Sequence, residues 1–138
     1  MKKIAVLGGG QVGSSLAKIL TDDGNDITLI DTNSSVLEDL QDDNDIKTIH
    51  GNASSPSILE QADVRDCDIL IATTASDEVN LVSCHLAKKM FNVPTVIARL
   101  RNSEFQVSTS GFDLDLFSID SIISPSQLVT DFIKNIIE

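Results

Sequence analysis

Three glycines and one aspartate are the residues of this chain best placed to do chemistry. Gly8-Gly9-Gly10-Gln11-Val12-Gly13 satisfies G-x-G-x-x-G, and Asp31 closes the next apolar run, Ile27 to Ile30. Gly8 permits a tight turn out of a strand. Gly10 lacks a Cβ, so a pyrophosphate can approach the backbone, and Gly13 lets a helix pack closely on a sheet. The N–H groups that open such a helix, near Gln11 and Val12, have no partner inside it, and the helix dipole favours an anion beside them. Asp31, at the carboxyl end of a second strand, is placed to accept hydrogen bonds from an adenosine ribose. Thr32 and Asn33 follow it, with no Arg or Lys nearby. A ribose 2′-phosphate would meet that carboxylate unpaired, so the pattern prefers NAD(H) or ATP/ADP over NADP. The competing reading is a glycine-rich turn in a non-binding α/β domain. A strand before the glycines, a helix after them and an acid ending the next strand favour the binding site.

The elements that must position these residues alternate along the chain. Apolar runs predict strands at Lys3–Leu7, Ile27–Ile30, Ile46–Ile49, Asp68–Thr73 and Thr95–Leu100, with a short sixth at Phe117–Ile119. Helices are expected at Ser14–Leu20, Ser34–Gln41, from Pro56 to about Ala62, and from Asp77 to about Phe91, the last capped by Ser76 with Asp77 and Glu78 in its first turn. Strands separated by helices imply a doubly wound parallel sheet, six-stranded here and of Rossmann type, in one domain over residues 1–138. Ligands bind such sheets beyond the carboxyl ends of the strands. That rule nominates Thr73, Thr74 and Ala75 after the fourth strand, Asn52 and Ala53 after the third, and Arg99 at the end of the fifth. Arg99 and Arg101 share one face by alternation. Arg99 is in reach of a pyrophosphate, whereas for Arg101 a surface ion pair competes with that role.

Composition narrows the function. The chain has 138 residues and a formal charge of −11, which argues against nucleic acid and anionic membrane surfaces as partners. No apolar run approaches the length of a membrane span, and Lys2 and Lys3 lead into a strand rather than a signal segment. A soluble intracellular protein is expected. Cys67 and Cys84 read as buried free thiols. Catalytic groups are hard to find. His50 and His85 have no spacing that makes a triad or metal site, and no phosphate-binding G-x-x-x-x-G-K-[ST] occurs. A dehydrogenase also needs a proton donor and a domain to hold its substrate. A cofactor site without catalytic partners points to a nucleotide used as a signal. The alternatives are a small NAD(H)-dependent oxidoreductase fragment and a redox-sensing repressor, the latter lacking a basic DNA-binding element.

The end of the chain carries a second pattern. Ser124-Pro125-Ser126-Gln127 resembles a capping box. Leu128, Val129, Phe132, Ile133, Ile136 and Ile137 then form an apolar stripe on a helix over 124–138. The stripe fits packing on the domain's own sheet and equally fits a subunit contact. The chain stops directly after it, as would a regulatory domain cut from a longer protein or a very short natural form.

Taken together, these strings resemble the N-terminal nucleotide-binding domain of the TrkA family, also called KTN or RCK domains. The carriers are Ile4 to Gly13, Asn25 to Asp31, Thr73-Thr74-Ala75-Ser76-Asp77-Glu78-Val79-Asn80, Ile97 to Arg101, and Ile119 to Val129. The resemblance spans nearly the whole chain. It implies a cytoplasmic subunit that binds NAD(H) or ATP/ADP and gates a membrane potassium-uptake transporter, without enzymatic activity. It also implies a homodimer or higher ring, with the C-terminal helix crossing to a neighbour. By matching position, nucleotide contacts fall on Gly8, Gly9, Gly10, Gln11, Val12, Asp31, Thr74, Ala75 and Arg99. Gly13, Thr32, Asn52, Ala53, Thr73 and Glu78 complete the expected site. Full-length members usually add a C-terminal ligand-binding domain.

Overall fold

The fold is described by a computed structural model for residues 1–42, 45–105 and 113–123. The elements are β1 (Lys3–Leu7), α1 (Gln11–Asp22), β2 (Asp26–Asp31), α2 (Ser34–Gln41), β3 (Ile46–His50), α3 (Pro56–Gln61), β4 (Ile69–Ala72), α4 (Asp77–Lys89), β5 (Thr95–Arg99) and β6 (Ser121–Ile123). All pairings are parallel, in the order β3-β2-β1-β4-β5-β6. The chain thus winds outward from β1 to one edge, returns to β4 beside β1, and winds out to the other edge.

Side-chain alternation sorts β1 between two layers. Ile4 and Val6 join Ile27, Leu29, Leu16, Leu20, Leu37 and Leu40, so α1 and α2 cover this face. Ala5 and Leu7 join Leu59, Leu70, Leu81, Cys84 and Phe91, so α3 and α4 cover the other. β1, β2, β4 and β5 read as apolar runs because both faces are buried. Leu16 and Leu20, one turn apart on α1, are almost wholly shielded, each contributing about 2 kcal/mol by burial. Cys67 and Cys84 are buried free thiols, as expected. Burial pushes the Cys67 thiol up to about 11, and it raises Cys84 further, with Asp120 acting in the same direction.

The sixth strand is present, but not at Phe117–Ile119. Phe117 ends a 3-10 turn, Leu114–Phe117, and Ser118 has φ 60°, a left-handed conformation that a strand cannot contain. The strand follows at Ser121–Ile123 and pairs with β5 through Ile97↔Ser121. The apolar spacing of Phe117 and Ile119 instead serves packing against the α4 layer. The helix expected over 124–138 lies outside the described residues.

Candidate functional site

The two windings part at the carboxyl ends of β1 and β4. The helix after β1 leaves toward one face and the helix after β4 toward the other, so a cavity of about 550 Å³ opens at the switch point.

The glycine turn forms its floor. Gly8 has φ +97°, and a Cβ there would lie 2.9 Å from the Thr74 backbone. At Gly13 a Cβ would lie 1.7 Å from the Gly8 carbonyl oxygen, so α1 can start this close to the turn only with glycine. Gly10 differs, since a Cβ there would meet nothing within 4 Å. It is the N-cap of α1, has no side chain to cap with, and the first turn holds no acid. The Ser14 N–H donates to the Gly10 carbonyl at 2.8 Å, closing the first helical bond. The N–H groups ahead of Ser14 have no bond of that kind to make and open toward the cavity wall formed by Gly10, Gln11 and Val12.

Asp31, at the end of β2, ties the glycine turn to the start of α2 within the first winding. Its Oδ2 accepts from the Gly9 N–H at 2.5 Å and its Oδ1 from the Asn33 N–H at 2.7 Å. Asn33 in turn caps α2 through Oδ1, taking the Ser35 and Val36 N–H groups. The carboxylate is therefore oriented by two backbone donors at the rim of the cavity. Asn52 is fixed nearby by Ser54, whose N–H and Oγ both donate to its Oδ1.

The opposite wall is built by β4, α4 and β5. Thr73 Oγ1 donates to the Leu7 carbonyl at 3.0 Å, across the strand pair. Thr74 Oγ1 donates to Asn80 Oδ1 at 2.7 Å and accepts from the Ser76 N–H at 3.2 Å. The two hydroxyls expected to reach a ligand are thus engaged inside the protein. Arg99 stands at the end of β5 with its Nε buried and without a partner among the described residues. Burial and the neighbouring Arg101 push its guanidinium below the ordinary value, opposed by Asp77. Neither arginine forms an ion pair among the described residues, and both line the cavity.

Most of the expected site residues converge. Gly8, Gly10, Gln11, Val12, Asp31, Thr32, Asn52, Ala53, Thr73, Thr74, Ala75 and Arg99 all line this one cavity. Gly9 and Gly13 lie behind the floor, where they let Val36 and Gly8 approach. Glu78 does not line it. It is exposed on the first turn of α4, its Oε2 accepting from Ser76 Oγ. Sequence reasoning passed over Asn33, Val36, Gly51, Ser76 and Val79, which complete the wall. Several of these belong to helix first turns, a place that the rule of strand ends does not reach. His50 lies outside, its Nε2 on the Thr32 carbonyl. Among the described residues no cluster of ligating side chains suits a metal ion.

This sheet order, with a glycine turn opening onto an uncapped helix at the switch point, places the chain in the Rossmann fold class. The TrkA-N domain family model matches residues 4–125, and the chain belongs to that family. It is similar to the Trk system potassium uptake protein TrkA of Haemophilus influenzae, 46% identical over 136 residues that cover 98% of this chain. The chain spans 30% of that protein's length. The fold is also that of the TrkA-N domain of the inner membrane protein ybaL from Escherichia coli (TM-score 0.79, 18% identity, 99% of this chain and 97% of that one). A GsuK channel bound to NAD has it too (TM-score 0.73, 21% identity, 99% of this chain and 23% of that one). So does GsuK bound to ADP (TM-score 0.72, 22% identity, 99% and 34%).

Proposed function

We propose that this chain is a regulatory domain that binds NAD(H) or ATP/ADP and so gates a membrane potassium-uptake transporter, without being an enzyme. The observation that carries the reading is the uncapped start of α1 on the wall of the same cavity that Arg99 lines, an arginine with no ion pair among the described residues. A positive helix end and a guanidinium bordering one space ask for an anion. A nucleotide supplies it as phosphate, along with ribose hydroxyls for a carboxylate to accept. The backbone at Gly10, Gln11 and Val12 would hold the phosphates, with Arg99 opposite, and Asp31 would take the ribose. Thr32, Asn52 and Ala53 would border the base. The GsuK structures with NAD and with ADP support both ligand classes for this fold. The Trk-system relative supports a potassium transporter subunit as the partner. Among the described residues no helix is long and apolar enough to cross a membrane, which suits a domain acting from the cytoplasmic side through that partner.

The mechanism is a shift between two arrangements of paired or ring-assembled copies. A nucleotide moves that equilibrium only by its differential affinity for the two arrangements. The test is a thermal-shift ranking of NAD, NADH, NADP, ATP and ADP, with the solution mass measured in each. Binding at 100-fold excess over Kd should add about 2.7 kcal/mol of stability, with NADP the weakest of the dinucleotides. No shift with any of the five ends the reading. Steady NADH consumption with a carbonyl substrate replaces the sensor with an oxidoreductase.

A further inference from the structure

We propose that Asn80 is a positioning residue. From one fully buried amide it would set the spacing between the β4 exit and the β5 exit, and so the phosphate-facing half of the cavity. The inference rests on the nucleotide reading above and goes beyond it, because Asn80 does not line the cavity.

Asn80 is 0% exposed and lies in the first turns of α4. Its Oδ1 accepts from the Thr74 N–H at 3.0 Å and from Thr74 Oγ1 at 2.7 Å. Its Nδ2 donates to the Thr74 carbonyl at 3.2 Å and to the Arg99 carbonyl at 2.8 Å. A carboxamide has two acceptor sites and two donors, and all are used. The orientation is not open to a flip. The Thr74 N–H can only donate and the Arg99 carbonyl can only accept, so the oxygen must face the first and the nitrogen the second.

The amide therefore ties the loop after β4 to the last residue of β5, just beyond the final β4–β5 pair, Ala72↔Ala98. Thr74 backs the glycine turn, since its backbone is what a Cβ at Gly8 would strike. Arg99 carries the unpartnered guanidinium nitrogen. One turn earlier on the same face, Asp77 Oδ1 and Oδ2 accept the Arg101 and Asn102 N–H groups at 2.9 and 2.7 Å. Asp77 and Asn80, three apart on one helix, thus hold the backbone that presents both cations. Asp31 and Asn52 belong to the other winding and are held by other bonds. Loss of the Asn80 bridge should act on the phosphate side and spare the ribose side.

The test is Asn80→Asp, which keeps the shape but turns a double donor into an acceptor facing two carbonyls. ADP and adenosine are each titrated by calorimetry against the wild type and the variant, with thermal unfolding as a fold check. We expect ADP affinity to fall about tenfold or more, the scale of one buried group left unsatisfied, while adenosine stays within about twofold. Equal losses for ADP and adenosine mean a merely structural residue and overturn the proposal, as does no loss for either. If the wild type binds neither, the nucleotide reading falls and this one with it. Should Asn80→Asp not fold, Asp77→Asn carries the same comparison, because its amide would set an N–H₂ against a backbone N–H beside Arg101.

Discussion

Two helices begin at the carboxyl edge of the sheet, on either side of the switch point, and they begin in opposite ways. The start of α4 is complete in itself. Ser76 Oγ accepts from the Val79 N–H, and Asp77 and Glu78 bring negative charge into the first turn. The start of α1 has neither cap nor acid, and a glycine stands where the cap should be. Both ends carry the same orphan N–H groups and the same positive dipole. What separates them is the source of the compensating charge, the chain's own at α4 and, on the proposed function, a ligand's at α1. A missing cap is costly in a helix that has no ligand, so its absence beside an open cavity reads as part of a site.

Four substitutions test this contrast, from the largest expected effect to the smallest. Gly13→Ala puts a methyl into the Gly8 carbonyl and should cost about 3 kcal/mol or more in denaturant unfolding; a variant as stable as wild type would mean that α1 need not start so close. Gly10→Asp gives α1 the acid that α4 already owns. Stability should rise by about 1 kcal/mol, and ADP or NADH binding should fall about 100-fold by calorimetry, as expected when a like charge takes the anion's place. Retained binding would move the phosphate away from α1. Arg99→Ala should weaken ADP about tenfold, the loss of one charge-assisted bond, and leave the melting temperature unchanged or higher, because a buried unpartnered nitrogen is removed. A clear drop in melting temperature with full affinity would make Arg99 structural. Ser76→Ala should cost about 1 kcal/mol of stability with affinity for ADP nearly intact, and a larger loss of affinity than of stability would erase the distinction between the two helices.

Much of this was legible in the residues. The parallel strands β1, β2, β4 and β5 are mostly apolar runs with both faces covered, so their pattern is clear, while β3 alternates Ile46, Lys47, Thr48 and Ile49 and is only partly buried. The glycine turn and Asp31 follow from spacing alone. The misplaced sixth strand shows the limit. Phe117-Ser118-Ile119 alternates as a strand should, yet Ser118 is left-handed, and the true strand at Ser121–Ile123 is too short to announce itself. Asp77 and Asn80 escaped as supports because a polar residue on a helix normally reads as a solvated face. Only the packing reveals that both are buried, Asn80 with four hydrogen bonds to Thr74 and to Arg99 at the end of β5. Thr73 and Thr74 line the cavity as expected, but their internal partners at Leu7 and Asn80 could not be read from the sequence.

The pairing of β1 with β4 joins Ile4 to Ile69 and Val6 to Ile71, segments far apart along the chain. Such contacts form late, because a long loop must close before they repay its entropy. The cavity inherits this delay. Its floor is made near the start of the chain, but its cationic wall comes from Arg99 and Arg101, after the fourth crossover. A growing or half-folded chain can own the glycine turn and still have no place for a ligand. On the proposed function, binding competence marks the closing of the second winding onto the first, and a nucleotide added during refolding would trap finished molecules while leaving the early steps at their own speed.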